Sequence, residues 1–157
     1  KKLLNLKKKY KFLKLFNYGL GHKVNNEKIY YPYIKIFDKK LVLFAYSFPD
    51  KKELKKQIAL DFFIKPKIYQ DKIKIKKFKI PKDKIDLIKI DTNGSEIDII
   101  SSIMPVLKRD KPVLIIENNN INKVYNKVKF LKYKKFCVEN NSLKKHNSQK
   151  NVNIIFK

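Results

Sequence analysis

Cysteine occurs once in the 157 residues, at position 137, so no disulfide can form within the chain, and a reducing, cytoplasmic setting is expected. Arginine also occurs once, as Arg109, against 38 lysines. Without arginine's planar fork, paired recognition of guanine or phosphate has almost nothing to work with, which argues against a sequence-specific nucleic-acid reader. Glycine is confined to Gly19, Gly21 and Gly94. Neither a phosphate-cradling P-loop nor a G-x-S-x-G nucleophile elbow is present. Long hydrophobic runs are missing too. The longest, LVLFAYSF from Leu41 to Phe48, is far short of the ~20 residues of a membrane-spanning helix. The basic start KKLLNLKKKY has no apolar stretch behind it that would make a signal peptide. A soluble protein with no membrane partner is expected.

What is abundant is lysine and apolar residues. The net charge is +25, yet 43% of the residues are hydrophobic and 13% aromatic, far more than a disordered chain carries. One domain with one core is expected over residues 1–157. The lysines run the whole length of the chain instead of clustering, so they read as a solvated surface. Nonspecific polyanion binding would follow as a by-product, without a specific nucleic-acid partner.

Helix formers at Leu3 to Tyr10 lead into KFLKLFNYGLG, where Phe12 to Phe16 suggests a buried strand stopping at Asn17. Ile29 to Phe48 is β-branched and aromatic, broken by Pro32 and by Asp38 to Lys40, and reads as a hairpin or two short strands. KKELKKQIALDFF resembles an amphipathic helix. In DKIKIKKFKIP the alternation slips by one residue, which implies a bulge or break near Lys76 and Lys77. IDLIKID is apolar at both parities, as in a strand covered on both faces. Ser95 to Arg109 has helical spacing, with Ser95 and Asp98 as an approximate capping box and Pro105 as a kink or interruption. PVLIIE is a second apolar strand. The tail reads as a helix over Ile121 to Lys132, a strand FCV, a polar loop through His146 and Gln149, and a closing strand NVNIIF.

The octet KIDTNGSE, Lys89 to Glu96, lies where the first apolar strand hands over to the helix. Ligands of open α/β sheets sit outside the carboxyl ends of strands. Asp91, Glu117 and Asn17 each end a strand in this reading and would share one rim if those strands were parallel. Gly94 would let the turn and the helix start approach a ligand. An ordinary Asn-Gly turn, with Glu96 placed only for the helix dipole, fits the spacing equally well. The octet is not a calcium loop, because that motif requires glycine where Glu96 stands. His22 and His146 are far apart and have no ligand pattern around them, so no metal site is expected.

The block IDLIKIDTNGSEIDIISSIMPVLKRDKPVLIIEN resembles the signature of the FkbM-type S-adenosylmethionine-dependent methyltransferases. In that signature a strand ending K-I-D is followed by x-x-G-x-E, a helix, K-P and a strand ending I-E. Lys89, Ile90, Asp91, Gly94, Glu96, Lys111, Pro112 and Glu117 match, while Asn93 replaces the family's usual glutamate. KFLKLFNYGLG is similar, more weakly, to the preceding segment. The resemblance implies methyl transfer from S-adenosylmethionine to a hydroxyl of a sugar or small metabolite. It also implies an α/β, Rossmann-like sheet, incomplete and mostly parallel with an antiparallel closing strand. By the same likeness, Asp91 is the catalytic position nearest the methyl or acceptor. Asn17, Tyr18, Gly19 and Leu20 flank the cofactor's adenine, and Gly94, Glu96 and Glu117 shape the substrate pocket. The family's D-x-G-x-N-x-G cofactor loop, and the acid that holds the ribose, have no counterpart here, so the first two strands of that fold are expected to be missing. The strand over Ile85 to Ile90 should then pair with Phe12 to Phe16 or keep an open edge and favour association, the former being preferred. The rival expectation is a noncatalytic remnant or a basic polyanion-binding domain.

Overall fold

A computed structural model describes residues 2–63, 65–117, 121–146 and 153–157. In chain order the elements are α1 (Lys2–Lys9), β1 (Gly19–Leu20), β2 (Asn25–Ile36), β3 (Lys39–Val42), α2 (Lys51–Asp61), β4 (Lys67–Lys76), β5 (Leu87–Ile90), α3 (Glu96–Asp110), β6 (Val113–Glu117), α4 (Ile121–Val128), β7 (Lys135–Glu139), β8 (Ser142–Lys145) and β9 (Asn153–Phe156). Short 3₁₀ turns cover Phe44–Tyr46 and Lys129–Leu131. The expected polar loop at Gln149 lies outside the described residues.

A single, mostly parallel, Rossmann-like sheet does not form. The strands make two mixed sheets, ordered β1-β4-β2-β3 and β5-β6-β9-β7-β8. Among the described residues only β1–β4 and β5–β6 are parallel pairs, and the other five pairings are antiparallel. The cause is visible in the connections. Parallel neighbours need a crossover long enough to return the chain to the same end of the sheet, and α3 supplies one between β5 and β6. The long strands β2 and β4 instead run antiparallel over nine paired positions, from Asn25↔Ile75 to Tyr33↔Lys67. Pro32 does not break β2, because a proline costs only the hydrogen bond of its own nitrogen. Its carbonyl accepts from Leu43 N at 3.0 Å.

The core lies between the second sheet and the helices α3 and α4. Cross-strand partners put Ile88, Leu114 and Phe156 in one row and Ile90, Ile116 and Ile154 in the next. These side chains meet Ile99, Ile100, Ile103 and Leu107 of α3 and Val124 and Val128 of α4. The spacing of those α3 residues is the 3–4 period of a helix buried along one stripe. Pro105 sits inside α3 without dividing it, on the exposed side.

Two local expectations fail for one reason, the lack of a second covering layer. Phe12 to Phe16 is not a strand, and Phe12 and Phe16 are 82% and 66% exposed. β5 has β6 as its sheet neighbour on one side only, and Leu87 is 56% exposed. Of the two expected outcomes the open edge is the one observed, among the described residues. Such an edge is a template for pairing with another chain. We therefore expect the protein to self-associate as salt screens its repulsion, and Leu87→Lys to hold it monomeric. Light scattering from 0.05 to 0.5 M salt checks this, and a monomer throughout refutes it.

The far end of β5 is held by the one arginine. Arg109 Nη1 donates to Pro81 O at 2.8 Å and Nη2 to Asp83 O at 3.1 Å. Nε and Nη2 also bind both carboxylate oxygens of Asp110, at 2.6 and 2.7 Å. Asp110 Oδ2 accepts from Ile85 N at 3.0 Å. The Arg109 hydrogen bonds, with help from the Ile85 amide, hold the Asp110 carboxyl down to about 2. A carboxyl lowered on folding contributes stability above its unfolded pKa and loses it as pH falls toward the folded one. Between pH 4 and pH 2 the wild type should therefore lose more stability than Asp110→Asn. Parallel denaturation curves for the two proteins across that range refute the clasp.

Candidate functional site

The octet turns sharply because its backbone enters the left-handed region twice. Asn93 has φ 49° and Gly94 φ 113°. A Cβ added at Gly94 would meet nothing within 4 Å, so glycine is required there for its conformation and not for close packing. The expected capping box at Ser95 does not form, since Ser95 makes no side-chain cap. Glu96 does this work from inside. Fully buried, it accepts through Oε1 from Gly94 N at 3.0 Å and from Thr92 Oγ1 at 3.1 Å. Its carboxyl also stands at the positive end of α3.

Three cavities surround the turn. The first, of about 490 Å³, lies between the first sheet and the turn with the start of α3, and is walled by Gly19, Leu20, Ile73, Ile75 and Ile99, with Asp91, Thr92 and Asn93 beside them. The second, of about 930 Å³, runs along α2 past Asn93, Gly94 and Glu117. Asn93 Nδ2 donates to Ala45 O at 3.1 Å, and both residues line both cavities, so this one bond is part of their partition. The third, of about 520 Å³, is an apolar groove at the open edge of β5, with Tyr18, Leu20 and Phe78 in its wall.

The structure brings some of the expected site residues together. Gly19, Leu20 and Asp91 line both the first and the third cavity, Tyr18 joins them in the third, and Gly94 and Glu117 share the second. Glu96 lines none of the three, and Asn17 is exposed and neither ends a strand nor lines them. Gly19 and Gly21 pack tightly on β4, where an added Cβ would come within 2.6 and 2.8 Å of Ile75 side-chain atoms. Asp91 is half exposed and holds Lys89 Nζ at 2.8 Å. The hydrogen bond to Asp91 raises the Lys89 pKa.

Two features escaped the sequence reading. His22 Nδ1 lies 3.5 Å from Asp98 Oδ1, and both side chains line the first cavity. They are far apart in the chain, and the β1–β4 pairing, continued by Gly21 N to Lys76 O at 3.1 Å, fixes the segment that leads into His22. The second feature is charge segregation. Glu27, Asp91 and Asp98 line the first cavity and Asp50, Glu53, Asp61 and Glu117 the second, half of the chain's 14 acids. Among the described residues the only lysines or arginines that line these two cavities are Lys23, Lys28 and Lys56. A strongly basic protein therefore keeps its acids where its cavities are.

Among the described residues no group of three or more His, Cys, Asp or Glu side chains could hold a metal ion, and no helix is long and apolar enough to cross a membrane. A family model described as a methyltransferase FkbM domain matches residues 1–138. No curated protein and no solved structure matches the chain.

Proposed function

The chain belongs to the FkbM methyltransferase family, and on that premise we propose that it transfers a methyl group from S-adenosylmethionine to a hydroxyl of a sugar or other small metabolite, in the cytoplasm. The observation that carries the reading is the segregation of acids into the two adjoining cavities. The donor is a cation with an apolar and aromatic body. Carboxylates of Glu27, Asp91 and Asp98 beside the aliphatic wall of Leu20, Ile73, Ile75 and Ile99 suit both parts. No glycine loop stands ready for the donor's amino-acid end.

When bound, S-adenosylmethionine supplies an electrophilic methyl group on a sulfonium. In this reading Gly19 and Leu20 flank the adenine, with Tyr18 behind Leu20, and Asp91 stands nearest the methyl and acceptor. The second cavity, past Gly94 and Glu117, admits the acceptor. The two cavities adjoin at the Asn93–Ala45 bond, and in this reading the acceptor hydroxyl reaches past it to meet the methyl carbon directly. The test is methyl labelling of Ile73, Ile75 and Ile99 observed by NMR at millimolar S-adenosylmethionine. Shifts confined to these methyls, abolished by Gly19→Val, are expected. An unshifted spectrum overturns the reading.

A second reading, polyanion binding, has one observation in its favour. Lys28 and Lys72 are directly opposed across β2 and β4, with Lys74 diagonal to them on the same sheet face. Opposed like charges on neighbouring strands repel unless an anion lies between them. Any nucleic-acid binding should be insensitive to sequence and should fall steeply with salt, as counterion release requires. Binding to a mixed-sequence oligonucleotide that survives 0.5 M salt would contradict this.

A further inference from the structure

The β2–β3 hairpin ends in a two-residue turn, Phe37-Asp38, closed by the Ile36↔Lys39 pair. The favoured turns of this length put positive φ at the first central residue, which suits asparagine, aspartate or glycine. Here that residue is phenylalanine, held at φ 52° and 96% exposed. A bulky side chain in that region is strained, and an aromatic ring left in water adds a second unfavourable term. At that exposure nothing within the chain offsets either. The rest of the tip follows the ring. Cross-strand register puts Ile34, Ile36 and Leu41 on one face of the hairpin, and Ile36 and Leu41 are 51% and 50% exposed. Lys35 and Lys40 oppose each other on the other face. There Lys40 Nζ lies 4.1 and 4.2 Å from the ring centroids of Tyr33 and Tyr69. With Lys39, three lysines stand around the tip against one acid, Asp38.

We propose that the tip of the β2–β3 hairpin is a membrane-docking element whose partner is the surface of an anionic lipid bilayer. Phe37, Ile36 and Leu41 enter the boundary between headgroups and acyl chains, while Lys35, Lys39 and Lys40 meet the anionic headgroups around them. Tyr33 and Tyr69 carry the amphipathic rings that settle at headgroup level. The charges are complementary, since a chain of net charge +25 is drawn to an anionic surface before the ring arrives. The expectation of no membrane partner rested on the lack of a spanning segment, and a surface contact needs none. A single-stranded nucleic acid would also meet lysines and rings. Its bases stack on ring faces, however, and Ile36 and Leu41 offer none. Docking of this kind does not depend on methyl transfer.

The chain contains no tryptophan, so Phe37→Trp places a single fluorescent reporter at the tip. Its emission should shift to the blue with vesicles of phosphatidylcholine containing about one third phosphatidylglycerol, and should not move with phosphatidylcholine alone. Phe130→Trp, at an exposed aromatic on the turn after α4, should stay unshifted with both. Phe37→Asn separates docking from folding. Asparagine accepts the left-handed turn, so Tm should rise, while co-sedimentation with the anionic vesicles should fall about tenfold or more as the apolar anchor is lost. No shift at Phe37→Trp, an equal shift at Phe130→Trp, or vesicle binding by Phe37→Asn within about threefold of wild type overturns the docking element. So does a Phe37→Trp shift produced by a single-stranded oligonucleotide and not by vesicles.

Discussion

Replacing Glu96 by alanine is expected to lower the unfolding free energy by about 2–4 kcal/mol, more than any other change in the octet that leaves the backbone unstrained. The side chain is fully buried, and its Oε1 is the acceptor for both Gly94 N and Thr92 Oγ1. Alanine leaves those donors without a partner in a turn already held at φ 49° and 113°. It also opens a void beneath the start of α3. Glutamine keeps the shape and one acceptor oxygen, so Glu96→Gln should cost roughly 1 kcal/mol, the ordinary value of a weakened buried hydrogen bond. Urea denaturation of the three proteins orders them. An alanine variant within 0.5 kcal/mol of wild type would show that the turn holds itself, and that Glu96 is not its keystone.

The same residue shows how far the sequence could be read. The segment from β5 through the turn and α3 to β6 was legible because two short apolar runs flank a stretch with helical spacing, and the structure forms those elements. What α3 does with its acids was not legible. Ser95 and Asp98 have capping-box spacing, yet Glu96 binds the turn from inside and Asp98 goes to His22. Spacing along the chain fixes which residues share a helix face, but not which nonlocal partner reaches them.

The split into two sheets was hidden for a related reason. β1 is only Gly19–Leu20, too short to leave a pattern, and its place is set by the tight contact of Gly19 with Ile75. Phe12 to Phe16 looks like a strand by composition. Its apolar residues fall on both parities, so a strand there needs cover on both faces, and no layer supplies it. One missed element did leave a signal. The β7–β8 hairpin turns at Asn140 and Asn141, both left-handed at φ 49° and 58°, and adjacent asparagines between two strand-compatible runs are a turn of that kind.

The largest expected effect concerns the donor itself. We expect these 157 residues to bind S-adenosylmethionine with a dissociation constant weaker than about 100 μM, which is less than about 5.5 kcal/mol of binding free energy. The first cavity offers aliphatic contact and a few half-exposed carboxylates. Apolar contact alone gives little orientation, and charges open to water give little net attraction. The donor's amino and carboxylate groups would normally be matched by backbone amides of a glycine-rich turn, and its ribose by an acid at a strand end. The three glycines are otherwise committed: Gly19 and Gly21 lie against Ile75, and Gly94 shapes the octet. Asp91 directly follows β5 and Glu117 ends β6, and Asp91 is already paired with Lys89. Titration calorimetry gives the answer directly. Low-micromolar affinity would mean that the first cavity recognises the whole donor without such a turn, and Asp91→Asn would then have to weaken it tenfold or more for this account of the acids to survive.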